Sequence, residues 1–161
     1  AQVENVYQRR ADLVPNLVET VKGAANFEKE TYTAVTEARA KVGQIQVDEK
    51  MLSNPAAFAQ FHQAQDQLGS ALSRLLVTVE NYPDLKATQN FRDLQAQLEG
   101  TENRITVERK RFNDAAQEFN TARRRFPTVF FASILGFNEK PYFQATPGAE
   151  KPPRFFASLK N

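Results

Sequence analysis

The chain has no cysteine, no tryptophan, a single histidine and a single methionine among 161 residues. Without cysteine there is no disulfide framework, no thiolate metal site and no thiol nucleophile. The lone His62 cannot build a polyhistidine site. A carboxylate metal centre inside a helical bundle needs a Glu-x-x-His motif on each of two helices, and Ala59, not Glu, stands three residues before His62. No apolar run approaches the ~20 residues that span a bilayer. A strong charge of one sign is also missing. The net charge is +2, so composition does not call for nucleic acid. The signs are unevenly spread, however: residues 1–100 carry 10 basic and 13 acidic groups, and residues 101–161 carry 11 and 6. No catalytic group, metal or cofactor is expected from this inventory.

What the sequence has is helix. Phe91, Leu98, Ile105, Phe112, Phe119 and Phe126 stand seven residues apart. That spacing predicts one unbroken rod with a single apolar seam. Upstream, Val14, Leu17, Val21, Ala24, Thr31, Val35, Ala38 and Val42 keep three-four spacing, which predicts a first helix over residues 2–42. Pro15 cannot donate to the carbonyl of Ala11, so a kink, or a new helix capped by Asp12, is expected there. Gly43 marks the stop, and residues 44–54 form a loop. Asn54-Pro55 is a start signal for a second helix to about residue 80. Its inward residues are Phe58, Phe61, Leu68, Leu72, Leu75, Leu76 and Val79. Asn81-Tyr82-Pro83 is a turn. The third helix runs from about 88 to 125, and Pro127 ends it.

The fold class is therefore all-α: an antiparallel up-and-down bundle of three long helices plus a short fourth, with an extended C-terminal tail. At ~1.5 Å per residue, helices one and three reach roughly 55–60 Å and helix two roughly 40 Å. Helix two then covers only part of the groove. Residues 1–20 and 108–126 would form a bare pair, closed by the apolar segment 129–136 as fourth element. Residues 1–137 are the bundle. Residues 138–161 are a Pro-rich tail with Tyr142, Phe143, Phe155 and Phe156, packed along the bundle or flexible.

Several stretches resemble the LemA family. The most specific is Arg9-Arg10-Ala11-Asp12-Leu13-Val14-Pro15-Asn16-Leu17-Val18-Glu19-Thr20-Val21-Lys22-Gly23. Others are Asn81-Tyr82-Pro83-Asp84-Leu85-Lys86-Ala87, Asn90-Phe91, Thr101-Glu102-Asn103-Arg104-Ile105, Phe112-Asn113, Arg125-Phe126-Pro127 and Gly136-Phe137. They cover nearly all of residues 1–145. Ala25 and Phe112 depart from the family's usual aromatic and Tyr. The resemblance implies a bacterial protein with a four-helix bundle and an amino-terminal membrane helix lying ahead of Ala1, so a single-pass, membrane-anchored protein. It implies no known molecular function and offers no active residue to carry over.

The remaining polar residues are weighed against that frame. Glu99, Glu102, Asp66 and Glu80 are better explained as solvated helix faces with opposite charges than as an acid-base pair. His62 is expected at the surface or at a cap. Arg123, Arg124 and Arg125, with Arg10 across the antiparallel pair, form a candidate interaction surface. The same arginines also have intramolecular partners in Glu4, Asp12, Asp114 and Glu118. Lipid is disfavoured, since the ~20 residues that the resemblance implies between the membrane helix and these arginines give about 30 Å against a screening length of ~8–10 Å. Nucleic acid is disfavoured because the aromatics fall on the core stripe. Arg9, Asp12, Asn16, Asn113 and Asn120 are the candidate structural polar network, fixing register near the Pro15 kink. The function expected is a non-enzymatic scaffold or adaptor of the bacterial envelope that binds other proteins. The alternatives are a self-assembling, membrane-associated array of this chain and a small-ligand protein or enzyme.

Overall fold

A computed structural model describes residues 2–124 of the chain. The predicted fourth element at 129–136, the stop at Pro127, Arg125, Phe126 and the tail from 138 lie outside the described residues, as do the side chains of Arg123 and Arg124. Among the described residues the protein is an all-α bundle. Its elements are α1 (Gln2–Lys22), α2 (Lys29–Gly43), a 3-10 turn (Glu49–Ser53), α3 (Pro55–Val79), the single turn α4 (Pro83–Lys86) and α5 (Gln89–Arg124).

The first helix is the main correction. In place of one helix over 2–42 there are two, α1 and α2, with the break at residues 23–28. Gly23 and Ala24 close the end of α1 by donating to the carbonyls of Thr20 and Val21. Asn26 then takes a left-handed conformation, φ 61°, which asparagine tolerates better than most residues. Phe27 is buried beyond it and packs on Tyr82, ring centroids 4.7 Å apart. The Tyr82 hydroxyl donates to the Asn26 carbonyl at 2.8 Å. The turn is thus tied down from the opposite connection of the bundle.

This break changes the packing. α1 packs chiefly on α5 and α2 chiefly on α3, while α1 and α2 meet along a smaller seam. Thr20 meets Asn90, Arg10 meets Glu102 and Tyr7 meets Arg109. Rising numbers on α1 face falling numbers on α5, so the two run in opposite senses. The far end is not a bare pair. Val6, Tyr7 and Ile105 are covered there by Met51, Phe58 and Phe61. With the first helix folded in two, α3 is long enough to reach that end.

Other expectations hold. Asn54 caps α3, its side chain accepting from the Ala57 N–H at 3.2 Å, and Pro55 occupies the first turn. The seven inward residues of α3 named above are all buried. The 44–54 connection holds the 3-10 turn, whose Met51 is buried and whose Asp48 cap accepts from the Met51 N–H at 3.1 Å. α5 is one continuous helix of 36 residues. Its seam starts fully buried at Phe91, Leu98 and Ile105 and becomes half-buried at Phe112 and Phe119. Phe112 stacks on Phe58 at 5.8 Å.

Pro15 lies inside α1, and no new helix begins at Asp12. The missing N–H leaves the Ala11 carbonyl without its helical donor. Arg39 of α2 supplies one, its Nε donating to that oxygen at 3.0 Å.

Candidate functional site

Two apolar clusters fill the bundle, one around Leu17, Leu72 and Leu98 and one around Tyr7, Phe61 and Ile105. A polar layer lies at their junction. Its centre is Arg10, only 3% exposed. Nη1 donates to Glu102 Oε1 at 2.8 Å, and Nη2 donates to the Gln65 carbonyl at 2.6 Å and to Gln65 Oε1 at 3.1 Å. One side chain from α1 therefore joins α3 to α5. Gly69 makes room for it: a Cβ there would lie 3.2 Å from Arg10 Nη1.

A second arginine repeats the connection from the other side. Arg109 of α5 donates from Nε to the Tyr7 hydroxyl at 2.6 Å and from Nη2 to Asp66 Oδ1 at 3.0 Å. Asp66 Oδ2 lies 3.1 Å from His62 Nε2. Tyr7 is held by Phe61, Arg10 and Arg109. Its ring packs edge-on against Phe61 at 5.5 Å, and the guanidiniums of Arg10 and Arg109 lie 5.3 and 5.7 Å from its centroid. Burial pushes the Tyr7 phenol above its usual pKa, and the nearby Arg109 charge only partly offsets this. For Arg109, burial works against the charged form, but Tyr7 and Asp66 favour it, and the net shift is upward.

Chemically the layer is matched in charge, while the buried Arg10 Nε has no hydrogen-bond partner among the described residues. Two guanidiniums face two carboxylates, and the phenol stays protonated at neutral pH. Charge pairs of this depth are strongly interdependent, since removing one member leaves the other poorly solvated. The arrangement holds three helices in one register.

The predicted polar network is not brought together. Arg9, Asp12 and Asn16 are exposed on α1. Asp12 Oδ1 accepts from Gln8 at 2.8 Å, and the Asn16 carbonyl accepts from Thr20 at 2.7 Å. Asn113 is half-buried and Asn120 is 2% exposed. Asn16 sits between the levels of Glu102 and Asn90 on α5, which puts it roughly 25 Å along the helix from Asn113. Of the predicted interaction surface, Arg10 is interior, a correction with a simple cause. Tyr7, Arg10, Val14, Leu17 and Val21 alternate three-four spacing, so Arg10 stands on the core stripe and Arg9 points about 100° away from it.

His62 is also buried, contrary to the surface position expected. The carboxylates divide. Glu80 pairs with Lys86 at 2.7 Å in an exposed contact, whereas Asp66 and Glu102 belong to the layer. The layer residues that sequence reasoning missed were Tyr7, Gln65 and Arg109, and Arg10 was assigned to a surface instead of the interior. A signal for Gln65 and for the burial of Arg10 existed. Gln65 interrupts the run Phe58, Phe61, Leu68, Leu72 on α3 just as Arg10 interrupts the run on α1.

Known proteins place the chain. The family model described as LemA family matches residues 1–155. Magnetosome protein MamQ of Magnetospirillum gryphiswaldense is 28% identical over 175 aligned residues, covering 97% of this chain and 64% of that protein. Magnetosome protein MamQ 2 of Paramagnetospirillum magneticum is 32% identical over 99 residues, covering 60% of this chain and 36% of that protein. Protein LemA of Metamycoplasma hominis is 26% identical over 144 residues, covering 89% of this chain and 62% of that protein. The chain thus spans less than two thirds of the length of each of these relatives. A match to the family model along nearly the whole sequence, on an all-α bundle, establishes that this chain belongs to the LemA family.

Proposed function

We propose that this protein is a non-enzymatic, membrane-anchored scaffold or adaptor of the bacterial envelope, whose bundle presents surfaces to other proteins. One observation carries the reading. Among the described residues, the buried cluster of chemically capable side chains (Arg10, Glu102, Arg109, Asp66, Tyr7) is spent on joining α1, α3 and α5. Groups committed to one another across three helices maintain shape, and a maintained shape is what an adaptor needs. Among the described residues no helix is long and apolar enough to cross a membrane. The anchor in this reading rests on the family resemblance.

The test is site-specific photocrosslinking in cells that express the complete gene. A photoreactive residue is placed at Val77 on α3 and at Val107 on α5, both large exposed apolar positions. Expected is a discrete, identifiable heterologous product in the membrane fraction. Products made only of this protein would favour the self-assembled array. Turnover of a captured small molecule by the purified protein would overturn the reading.

A further inference from the structure

The α1–α2 break stands against its own local sequence. Residues 23–28, Gly-Ala-Ala-Asn-Phe-Glu, contain no proline. The three-four spacing passes straight through them, from Val21 and Ala24 to Thr31 and Val35. Glu28 occupies the N-cap of α2 but makes no side-chain capping bond, and glutamate is not among the residues that favour that position. Asn26 sits at φ 61°, which asparagine tolerates and a right-handed helix does not contain. Local forces alone would carry one helix from α1 into α2. The reversal is held from outside: the Tyr82 hydroxyl donates to the Asn26 carbonyl, and Phe27 packs on the Tyr82 ring.

α1 is also a separable unit. Its Val14, Leu17 and Val21 lie in one apolar cluster with Leu68, Leu72 and Leu98. Its Arg10 is bonded to Gln65 and Glu102, and its Ala11 carbonyl to Arg39. None of these contacts depends on which chain supplies α1. The α1 of a second copy fits the same groove, and only the six-residue connection distinguishes the two arrangements.

We propose that residues 23–28 are an exchange hinge. In the second state they continue the helix, so that residues 2–43 form one rod of about 60 Å. α1 then leaves its own bundle for the equivalent groove of a second copy, which returns its own α1. Each bundle keeps its core and its polar layer. The Tyr82–Asn26 bond and the Phe27–Tyr82 contact are lost, and helix across the connection is gained. Exchange of an identical element makes a dimer out of contacts that already exist. A clash between local preference and tertiary contacts is what gives one segment two arrangements. Reciprocal exchange closes on itself, so it yields a dimer and not an open array. It is independent of the adaptor reading, since the outer faces of the bundle are the same in both states.

The chain has no native cysteine, so one introduced pair reports the exchange. Thr20 on α1 and Asn90 on α5 are in contact, Asn90 Nδ2 donating to Thr20 Oγ1 at 2.9 Å. The 161-residue chain carrying Thr20→Cys and Asn90→Cys is refolded at high concentration, and monomer and dimer fractions are separated by size-exclusion chromatography. Each is treated with a short bismaleimide and run on a denaturing gel. The dimer fraction is expected to give covalent dimers, and the monomer fraction internally linked monomers. A dimer fraction that runs as internally linked monomer would be ordinary surface association and would overturn the exchange. Asn26→Ala with Tyr82→Phe removes both the residue suited to the turn and the bond that holds it. The dimerisation constant is expected to rise at least about tenfold. Glu28→Pro is expected to lower it at least roughly a hundredfold, because each dimer holds two continuous helices and each then meets a proline. The closed turn accepts that change, since Glu28 already has φ −62°, the angle that proline fixes. Asn26→Gly checks the same direction without proline, because glycine takes a positive φ freely and weakens a helix. No dimer from Asn26→Ala with Tyr82→Phe at millimolar concentration would sink the hinge, as would a dimerisation constant indifferent to both Glu28→Pro and Asn26→Gly.

Discussion

Arg10 and Gly69 show how one side chain organises this interior. Arg10→Ala strands the Glu102 carboxylate, 17% exposed, and removes both contacts to Gln65. The expected loss is about 3 kcal/mol in chemical denaturation, the scale for breaking a largely buried pair. Gly69→Ala raises helix propensity by ~1 kcal/mol but places a methyl 3.2 Å from Nη1. Arg10 is pinned by three hydrogen bonds and cannot step aside, so Gly69→Ala is expected to destabilise the native chain. With Arg10→Ala in place, the same change is expected to stabilise, by about 1 kcal/mol. A sign that does not reverse between the two backgrounds would rule out the packing of Arg10 against Gly69 as the reason for the glycine.

Tyr7 makes a pH-dependent contribution of definite sign. Burial holds its folded pKa above the ordinary value of 10.0. The folded state therefore keeps the proton more tightly than the unfolded chain. The stabilisation is complete below about pH 10 and is lost as pH rises through the raised folded value. Stability should fall steeply on the alkaline side. Tyr7→Phe is expected to cost about 1–2 kcal/mol at neutral pH, because Arg109 Nε loses its acceptor, and to flatten that alkaline fall. Urea midpoints measured from pH 7 to 11 on both proteins check it.

At the scale of elements, α1 tolerates Pro15 because α2 repairs the damage. Arg39 donates to the carbonyl that Pro15 leaves open. Arg39→Ala is expected to cost about 1 kcal/mol. In a Pro15→Ala background the helix supplies its own donor to Ala11, and Arg39→Ala should then cost close to nothing. Additive losses in this double-mutant cycle would mean that the Arg39 contact is incidental. The α1–α2 break carries a related lesson. Three-four spacing runs through it, from Val21 and Ala24 to Thr31 and Val35, because both helices face one core. Periodicity reports a face and is blind to a reversal between two segments that share it. Gly23 and Asn26 were the legible signs, and Tyr82, whose contact ties the turn, is 56 positions downstream of Asn26.

Over the whole molecule, the seam of α5 should show a gradient. Phe91 is 1% exposed inside the larger apolar cluster, and Phe91→Ala is expected to cost ~3–5 kcal/mol. Phe112 is half-buried and stacked on Phe58, so Phe112→Ala should cost roughly half as much. Equal losses would mean that the far end of the rod is packed as tightly as its start. Residue pattern alone determined that this is an all-α bundle, that α3 starts at its Asn54 cap, and that Phe91, Leu98 and Ile105 face inward. These follow from local forces, namely spacing, capping and proline geometry. Only the tertiary structure decided that Arg10, Gln65 and Glu102 lie at one level, that α2 doubles back along α1, and that Asn16 and Asn113 stand apart. The relative sliding of helices is set by side chains meeting across 55 or 92 positions of chain, and no periodicity within a single helix encodes where its neighbour will stop.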